Sequence, residues 1–457
     1  MSLYQRFVRD VLYPADLWRS GDARQLRYLE EFEHSQYLSG EQVQELQLRR
    51  LRTLLEHANQ HCPFYQRRFQ ESGFAPSDIE TLGDLSRLPV LEKSEIQTSR
   101  DAMVAVNWAR GDLIPNRTGG STGAPLSFFL SRDRKWSRAA ATIRHNRWAG
   151  WDVGDKVALL WGAPRDAAPN RFRAKLRNWL IDQQLFLDTA NVTEQRMLDF
   201  HHSLKKFRPR VLLAYAQAIT LFAKFLKSRS LTPYQPESIV TSAEVLEPDD
   251  RATVEETFGC KIFNRYGSRE VSVLASECDR HDGLHVMSEG LYLEIVRPEG
   301  NDQSSGAGSI LVTDLMNLAM PLIRYRIGDM GEWAKGECGC GRGLPRLSSV
   351  SGRVTDFLVG EDRRLVSGVF LATYVAAQRP SLGQVQIHQD QPGQVLYRIR
   401  PNGRFDADAE FSYLTQETRR YLGSNAKVEF EITDELPHES SGKYVFCRSA
   451  AASNAWS

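Results

Sequence analysis

An excess of charge of either sign is missing from this chain, whose 457 residues hold 58 Lys+Arg against 57 Asp+Glu. No bulk field therefore draws it to nucleic acid or to an anionic membrane. Long apolar runs are missing too. The most apolar stretch, Val211 to Ala223, is interrupted by Gln217 and Thr220 and falls short of a membrane span. The opening segment MSLYQRFVRDVLYPADLW sets arginines inside its apolar pattern, so it does not read as a signal peptide. Cysteine is scarce at six residues, which excludes a disulfide framework in a chain of this length. Internal repeats and low-complexity segments are absent, and no Walker A spacing of Gly-Lys-Ser/Thr occurs. What remains reads as a cytoplasmic, enzyme-sized globular protein, 41% apolar, with length for two or more domains.

Periodicity then divides the chain. Residues up to about 100 read as helical. In SGEQVQELQLRRLRTLLEHANQ, Val43, Leu46, Leu51, Leu54, Leu55 and Ala58 fall near helical spacing, and Ser39 with Gln42 forms a capping box. From about 155 onward, short apolar runs (KVALLWG, RVLLAY, SIVTSAE) alternate with helical stretches, which is the rhythm of parallel strands and crossover helices. GLYLEIVRP and GSILVTDL read as paired strands. Beyond Arg353 the pattern changes to two strands around a turn, a helix near 408–422 and the strand KVEFEIT. The expected architecture is α/β, with a first domain over 1–352 and a smaller α+β domain over 353–457.

Three local features carry chemistry. NRTGGSTGAPL holds Gly119, Gly120 and Gly123 among Thr118, Ser121 and Thr122, a set of bare backbone N–H groups and hydroxyls suited to an anion, although a plain surface turn has the same composition. Cys278 with His281 (Cys-x-x-His) and Cys338 with Cys340 (Cys-x-Cys) supply the four ligands tetrahedral zinc takes, in a structural role; two loops of unlinked thiols are the alternative. NRFRAKLRNWLI places Arg171, Arg173, Lys175 and Arg177 beside Phe172, Leu176 and Trp179. A solvated basic face on a packed helix is the plainer reading; a membrane surface or a coenzyme's phosphates would be the others.

TGGSTGAPL (118–126), NRYGSRE (264–270), YRIGD (325–329), GRVTD (352–356) and SSGKY (440–444) occur in an order that resembles the adenylate-forming superfamily. The nearest likeness is to its phenylacetate–CoA ligase-like branch, with the relatives found in capsule polysaccharide gene sets, and it covers nearly the whole chain. The resemblance implies a large multi-layer N-terminal domain, a small mobile C-terminal one, and activation of a carboxylic acid by Mg·ATP. Attack on the α-phosphate brings two anions together, so the site must neutralise charge and hold the reactants in line.

Carried onto this sequence, Thr118, Gly119, Gly120, Ser121, Thr122 and Gly123 would cradle phosphates. Glu270 would offer a carboxylate to Mg²⁺. Tyr266, in Tyr266-Gly267-Ser268, would stack on adenine, which Ser242, Ala243 and Glu244 would line. Asp329, with Arg353 nearby, would hold the ribose, and Lys443 would bridge carboxylate and α-phosphate oxygens as charge develops. Tyr215, Ala216 and Ala218 are the expected acid pocket. Three positions depart from the pattern: Ala124 replaces a lysine, Arg269 a threonine, so that a guanidinium would face the α-phosphate, and Thr355 a hinge aspartate or lysine. The expected acceptor is coenzyme A. An amine on a sugar or amino acid is the runner-up, and a catalytically idle adenylate-fold binding protein the third reading. The acid and the oligomeric state, a homodimer included, are left open.

Overall fold

A computed structural model describes residues 2–118, 126–161, 172–188, 194–297, 306–353, 357–361, 365–368, 371–436 and 446–451. Helices dominate the first hundred residues. The longest, Gly40–His61, starts at Ser39, whose side chain accepts from Gln42 N while Gln42 reaches back to the cap. Its buried stripe is Val43, Leu46, Leu51, Leu54, Leu55 and Ala58, so the periodicity read from sequence is the face that packs.

The strands are β1 (Ile114–Arg117), β2 (Ser127–Leu130), β3 (Val157–Trp161), β4 (Gln184–Asp188), β5 (Val211–Tyr215), β6 (Ser238–Ser242), β7 (Lys261–Ser268), β8 (Ser272–Glu277), β9 (Leu284–Val286), β10 (Leu291–Val296), β11 (Gly308–Asp314), β12 (Tyr325–Trp333), β13 (Arg346–Arg353), β14 (Phe357–Val359), β15 (Leu365–Ser367), β16 (Gln384–Gln389), β17 (Gln394–Arg400), β18 (Lys427–Ile432) and β19 (Cys447–Ser449). An 11-stranded sheet runs β10-β11-β12-β13-β9-β8-β7-β6-β5-β3-β4. Its β4-β3-β5-β6-β7 half is parallel and the rest antiparallel. Every residue of β6 is buried, as a strand covered on both faces requires. Crossover helices Glu194–Phe207, Ala216–Ser228 and Pro248–Phe258 supply that cover through a core including Phe200, Phe222, Ile239 and Phe258.

Helix Arg132–Trp148 is held to the antiparallel half by ion pairs that are almost wholly buried. Arg134 Nε donates to Asp314 Oδ2 at 2.7 Å, with side chains 1% and 0% exposed. Arg144 pairs with Glu289, both fully buried. Farther along, β18-β17-β16-β19 form a separate four-stranded sheet under helix Ala407–Leu422. β16 and β17 are antiparallel and β17 and β18 parallel. Among the described residues its core, with Ile387, Tyr397, Ile399 and Leu414, shares no residue with the others. Among the described residues no helix is long and apolar enough to cross a membrane.

Candidate active site and metal cluster

The carboxyl ends of the parallel strands lie side by side. Trp161 is in register with Asp188, Tyr215 with Ser242, and Ser242 with Arg265, so β3 to β7 deliver these residues to one rim. Open α/β sheets bind ligands at such a rim. Immediately after β6, Ala243 takes φ +70°, a left-handed conformation costly for a side chain and characteristic of functional turns. Glu244 follows, half-buried. Tyr215 packs against Trp161 with ring centroids 4.2 Å apart, a contact the sequence did not announce. Ala216 is buried at the start of its helix, and Ala218 packs onto the crossover core.

β7 continues into Tyr266-Gly267-Ser268, and here the pairing with β8 slips. At Gly267 any Cβ would lie 2.9 Å from Ser272 O, so glycine is needed for the backbones to approach. Tyr266 Oη donates to Asp329 Oδ2 at 2.6 Å. Burial, then the Asp329 charge, raises the phenol's pKa, which keeps it a donor. Asp329 is set by a second irregularity: Gly328 takes φ +92° and the β12–β13 register shifts after Asp329, whose Cα partner is Arg353. Two motifs 63 residues apart thus meet through one hydrogen bond.

Glu270 is buried at 9% exposure and accepts from Tyr325 Oη at 3.2 Å. Its turn is clamped by two arginines that sequence reasoning missed. Arg134 Nη2 donates to Val271 O at 2.9 Å and Arg138 Nη2 to Arg269 O at 2.7 Å. Ser268 Oγ accepts from Val271 N at 3.3 Å. The available signal was RDRKWSRAAATIRHNRW, a helix with more arginines than a solvated face explains. The glycine loop joins the β1–β2 hairpin. Thr118 N donates to Leu126 O and Thr118 Oγ1 accepts from Leu126 N, both at 2.9 Å, leaving the hydroxyl proton available to donate. Gly119, Gly120, Ser121, Thr122, Gly123, Thr355 and Lys443 lie outside the described residues.

The thiol and imidazole cluster differs from the sequence reading in one ligand. Cys278, Cys338 and Cys340 meet, but His285 completes the set in place of His281, with all four ligand atoms within 4.8 Å of one another. Strand geometry explains the change. In the β8–β9 hairpin His285 pairs opposite Ser276, which carries it back beside Cys278. His281 sits on the turn, its Nδ1 3.2 Å from Glu277 Oε2 and its ring against Phe263.

Tetrahedral zinc with ~2.3 Å bonds to sulfur places two thiolates about 3.8 Å apart. Cys278 Sγ and Cys338 Sγ are 3.7 Å apart, and Cys340 Sγ is 3.3 Å from His285 Nε2. His285 Nδ1–H donates to Leu344 O at 3.2 Å, which turns the Nε2 lone pair toward the sulfurs. Arg280 N–H donates to Cys278 Sγ at 3.4 Å. Burial without a cation pushes the Cys278 thiol up to about 12. The donor set, spacing and outer hydrogen bonds fit a closed metal site.

Comparison with known proteins gives a consistent picture. The CapK C-terminal domain family matches residues 358–450. Protein CapK of Staphylococcus aureus is 22% identical over 414 residues, 88% of each chain. The phenylacetate-coenzyme A ligase of Thermus thermophilus is 26% identical over 343 residues, 70% of this chain and 73% of that one. A 2-hydroxyisobutyryl-CoA ligase in the postadenylation state, in complex with R3-HIB-AMP, matches at TM-score 0.69 with 19% identity over 91% of both chains. That ligase with 2-HIB-AMP and CoA, in the thioesterification state, matches at 0.61 with 20% identity over 92% of this chain and 93% of that one. The fold is shared with these ligases.

Proposed function

We propose that this chain, a homologue of CapK and of phenylacetate-coenzyme A ligases, is an AMP-forming carboxylate ligase. The carboxylate oxygen attacks the α-phosphorus of ATP, the bond to pyrophosphate breaks, and the acyl-adenylate is handed to the thiol of coenzyme A with release of AMP. The observation that carries this reading is the Tyr266–Asp329 hydrogen bond at the strand rim, beside the strained Ser242–Ala243–Glu244 turn. Asp329 then holds the ribose, Tyr266 and the 242–244 turn hold the base, and Thr118 with the loop beyond it meets the outer phosphates. Arg269 faces the α-phosphate. Glu270 is the carboxylate for Mg²⁺, which supplies charge neutralisation when bound. Lys443, from a C-terminal domain beginning near 353, would face the charge that develops at the reacting oxygens. The acid lies against Tyr215 and Ala216, whereas Ala218 is taken up by the crossover core.

Cys278, His285, Cys338 and Cys340 would hold one structural zinc, since a set of four protein ligands leaves no open position for substrate. For the acceptor, a second reading has its own support. The CapK match spans 88% of this chain and a CapK family covers the C-terminal domain, whereas the Thermus ligase matches 70%. The longer match is thus to a protein whose name states no acceptor, and an amine, giving an amide, is the second reading. The test is exchange of labelled pyrophosphate into ATP across a panel of acids, then AMP release on adding coenzyme A or amines. Asp329→Ala should raise KM for ATP, and Lys443→Ala should lower exchange about 100-fold or more. Exchange that survives Lys443→Ala removes that lysine from the reading. AMP release with amines alone removes the thioester. No exchange with any acid leaves the idle binding protein.

A further inference from the structure

We propose that the N-terminal helical rod, together with the helix beside it, docks this protein on an anionic phospholipid bilayer. Residues 3–20 run continuously as helix Leu3–Phe7, a π turn Val8–Leu12 and helix Tyr13–Ser20. One face is spent inside the protein, with Val8 and Leu17 buried and Leu12 and Tyr13 on the core of the antiparallel sheet. The opposite face is apolar as well: Leu3 is 86% exposed, Phe7 48%, Val11 49% and Trp18 79%. A helix apolar on both sides belongs within protein or against lipid, and this one lies at the surface.

The second helical segment, 172–182, is pinned alongside. Tyr4 Oη donates to Leu180 O at 2.8 Å and Arg177 pairs with Asp16 at 2.7 Å. It adds Trp179 at 71% exposure and Leu176 at 42%. Seven of the 13 exposed large apolar side chains among the described residues lie on these two segments, a density that scattered surface residues do not produce.

Charge decides the occupant. Residues 3–20 and 174–182 carry five basic side chains against three acidic ones; Arg9, Arg19 and Arg177 are ion-paired, and Arg6 and Lys175 have no carboxylate partner among the described residues. Where the rod begins, a recess of about 160 Å³ is lined by Tyr4, Gln5, Lys156, Arg208 and Arg210. Arg210 is neutralised by Asp155 and Glu237. Lys156 donates to the Phe207 carbonyl and lies over that ring, and among the described residues neither it nor Arg208 has a carboxylate partner. Two cations without a carboxylate partner, in a recess lined by Ser2 and Tyr4 on either side of Leu3 in the chain, suit a headgroup phosphate with acyl chains next to it.

Flotation of the full chain with vesicles of phosphatidylcholine, with and without about one-third phosphatidylglycerol, tests this. Binding should be about tenfold stronger to the anionic vesicles, fall with salt, and shift tryptophan emission to the blue. Phe7→Asp with Trp18→Ala should abolish flotation, and Arg208→Glu should weaken it several-fold, with circular dichroism unchanged. Failure of the folded wild type to float overturns the proposal. So does a dimer in sedimentation velocity that dissolves in the Phe7→Asp/Trp18→Ala variant without any vesicle binding.

Discussion

Replacing Arg134 by Met should unfasten the candidate active site from below. The guanidinium reaches three acceptors at once: Asp314 at 2.7 Å, Val271 O at 2.9 Å and Ser137 Oγ at 3.2 Å. Methionine fills much of the volume but leaves the Asp314 carboxylate, 0% exposed, with a backbone N–H from Met316 as its remaining hydrogen bond among the described residues. Breaking a buried pair from one side costs about 3–5 kcal/mol. By comparison, Arg87→Met, which opens a pair 51% and 33% exposed, should cost less than about 1 kcal/mol. Urea unfolding followed by tryptophan emission reads both, since Trp136 and Trp148 sit on the helix concerned. The loss of the Val271 contact also frees the turn carrying Glu270. A carboxylate displaced by ~1 Å should cost about 100-fold in pyrophosphate exchange. Arg134→Lys should recover only part of either loss, because one ammonium cannot span three acceptors in plane. Equal costs for Arg134→Met and Arg87→Met would refute the energetic argument. A destabilised variant with unaltered exchange would refute the link to Glu270.

The metal cluster predicts close to one zinc per chain in protein purified without added metal. Cys338→Ser or His285→Ala should lose both the metal and thermal stability, whereas His281→Ala should keep the metal; zinc lost from His281→Ala but retained in His285→Ala would reverse the ligand assignment. His145 gives a pH signature. Arg144 donates to its Nε2 at 3.3 Å, and burial, then the Arg144 charge, holds its folded pKa well below 6.5. The unfolded chain therefore binds the extra proton, so stability should fall as pH drops below about 6.5 and level off above it. His145→Gln should flatten that slope by up to ~1.4 kcal/mol per pH unit, and an unchanged slope would show the ring already protonated in the fold.

Local rules carried a good part of this protein in its sequence. Ser39 and Gln42 determined a helix start because a capping box needs only four adjacent residues. The apolar runs at 157–161, 211–215 and 238–242 determined parallel strands because burial on both faces leaves no polar alternation to hide. The ordered motifs pointed to nucleotide chemistry, and three of the four metal ligands were visible as short-range pairs. Tertiary structure decided what depends on contacts far apart in the chain. His285 displaced His281 because strand register, rather than proximity along the chain, brings an imidazole back to Cys278. Tyr266 and Asp329 became one unit through two register slips that no local propensity encodes. Arg134 read as one more charged helix residue until the fold buried it against Asp314 and the Val271 carbonyl. Spacing in sequence reports neighbours on one element, whereas a site is assembled from side chains whose elements meet only after the core has packed.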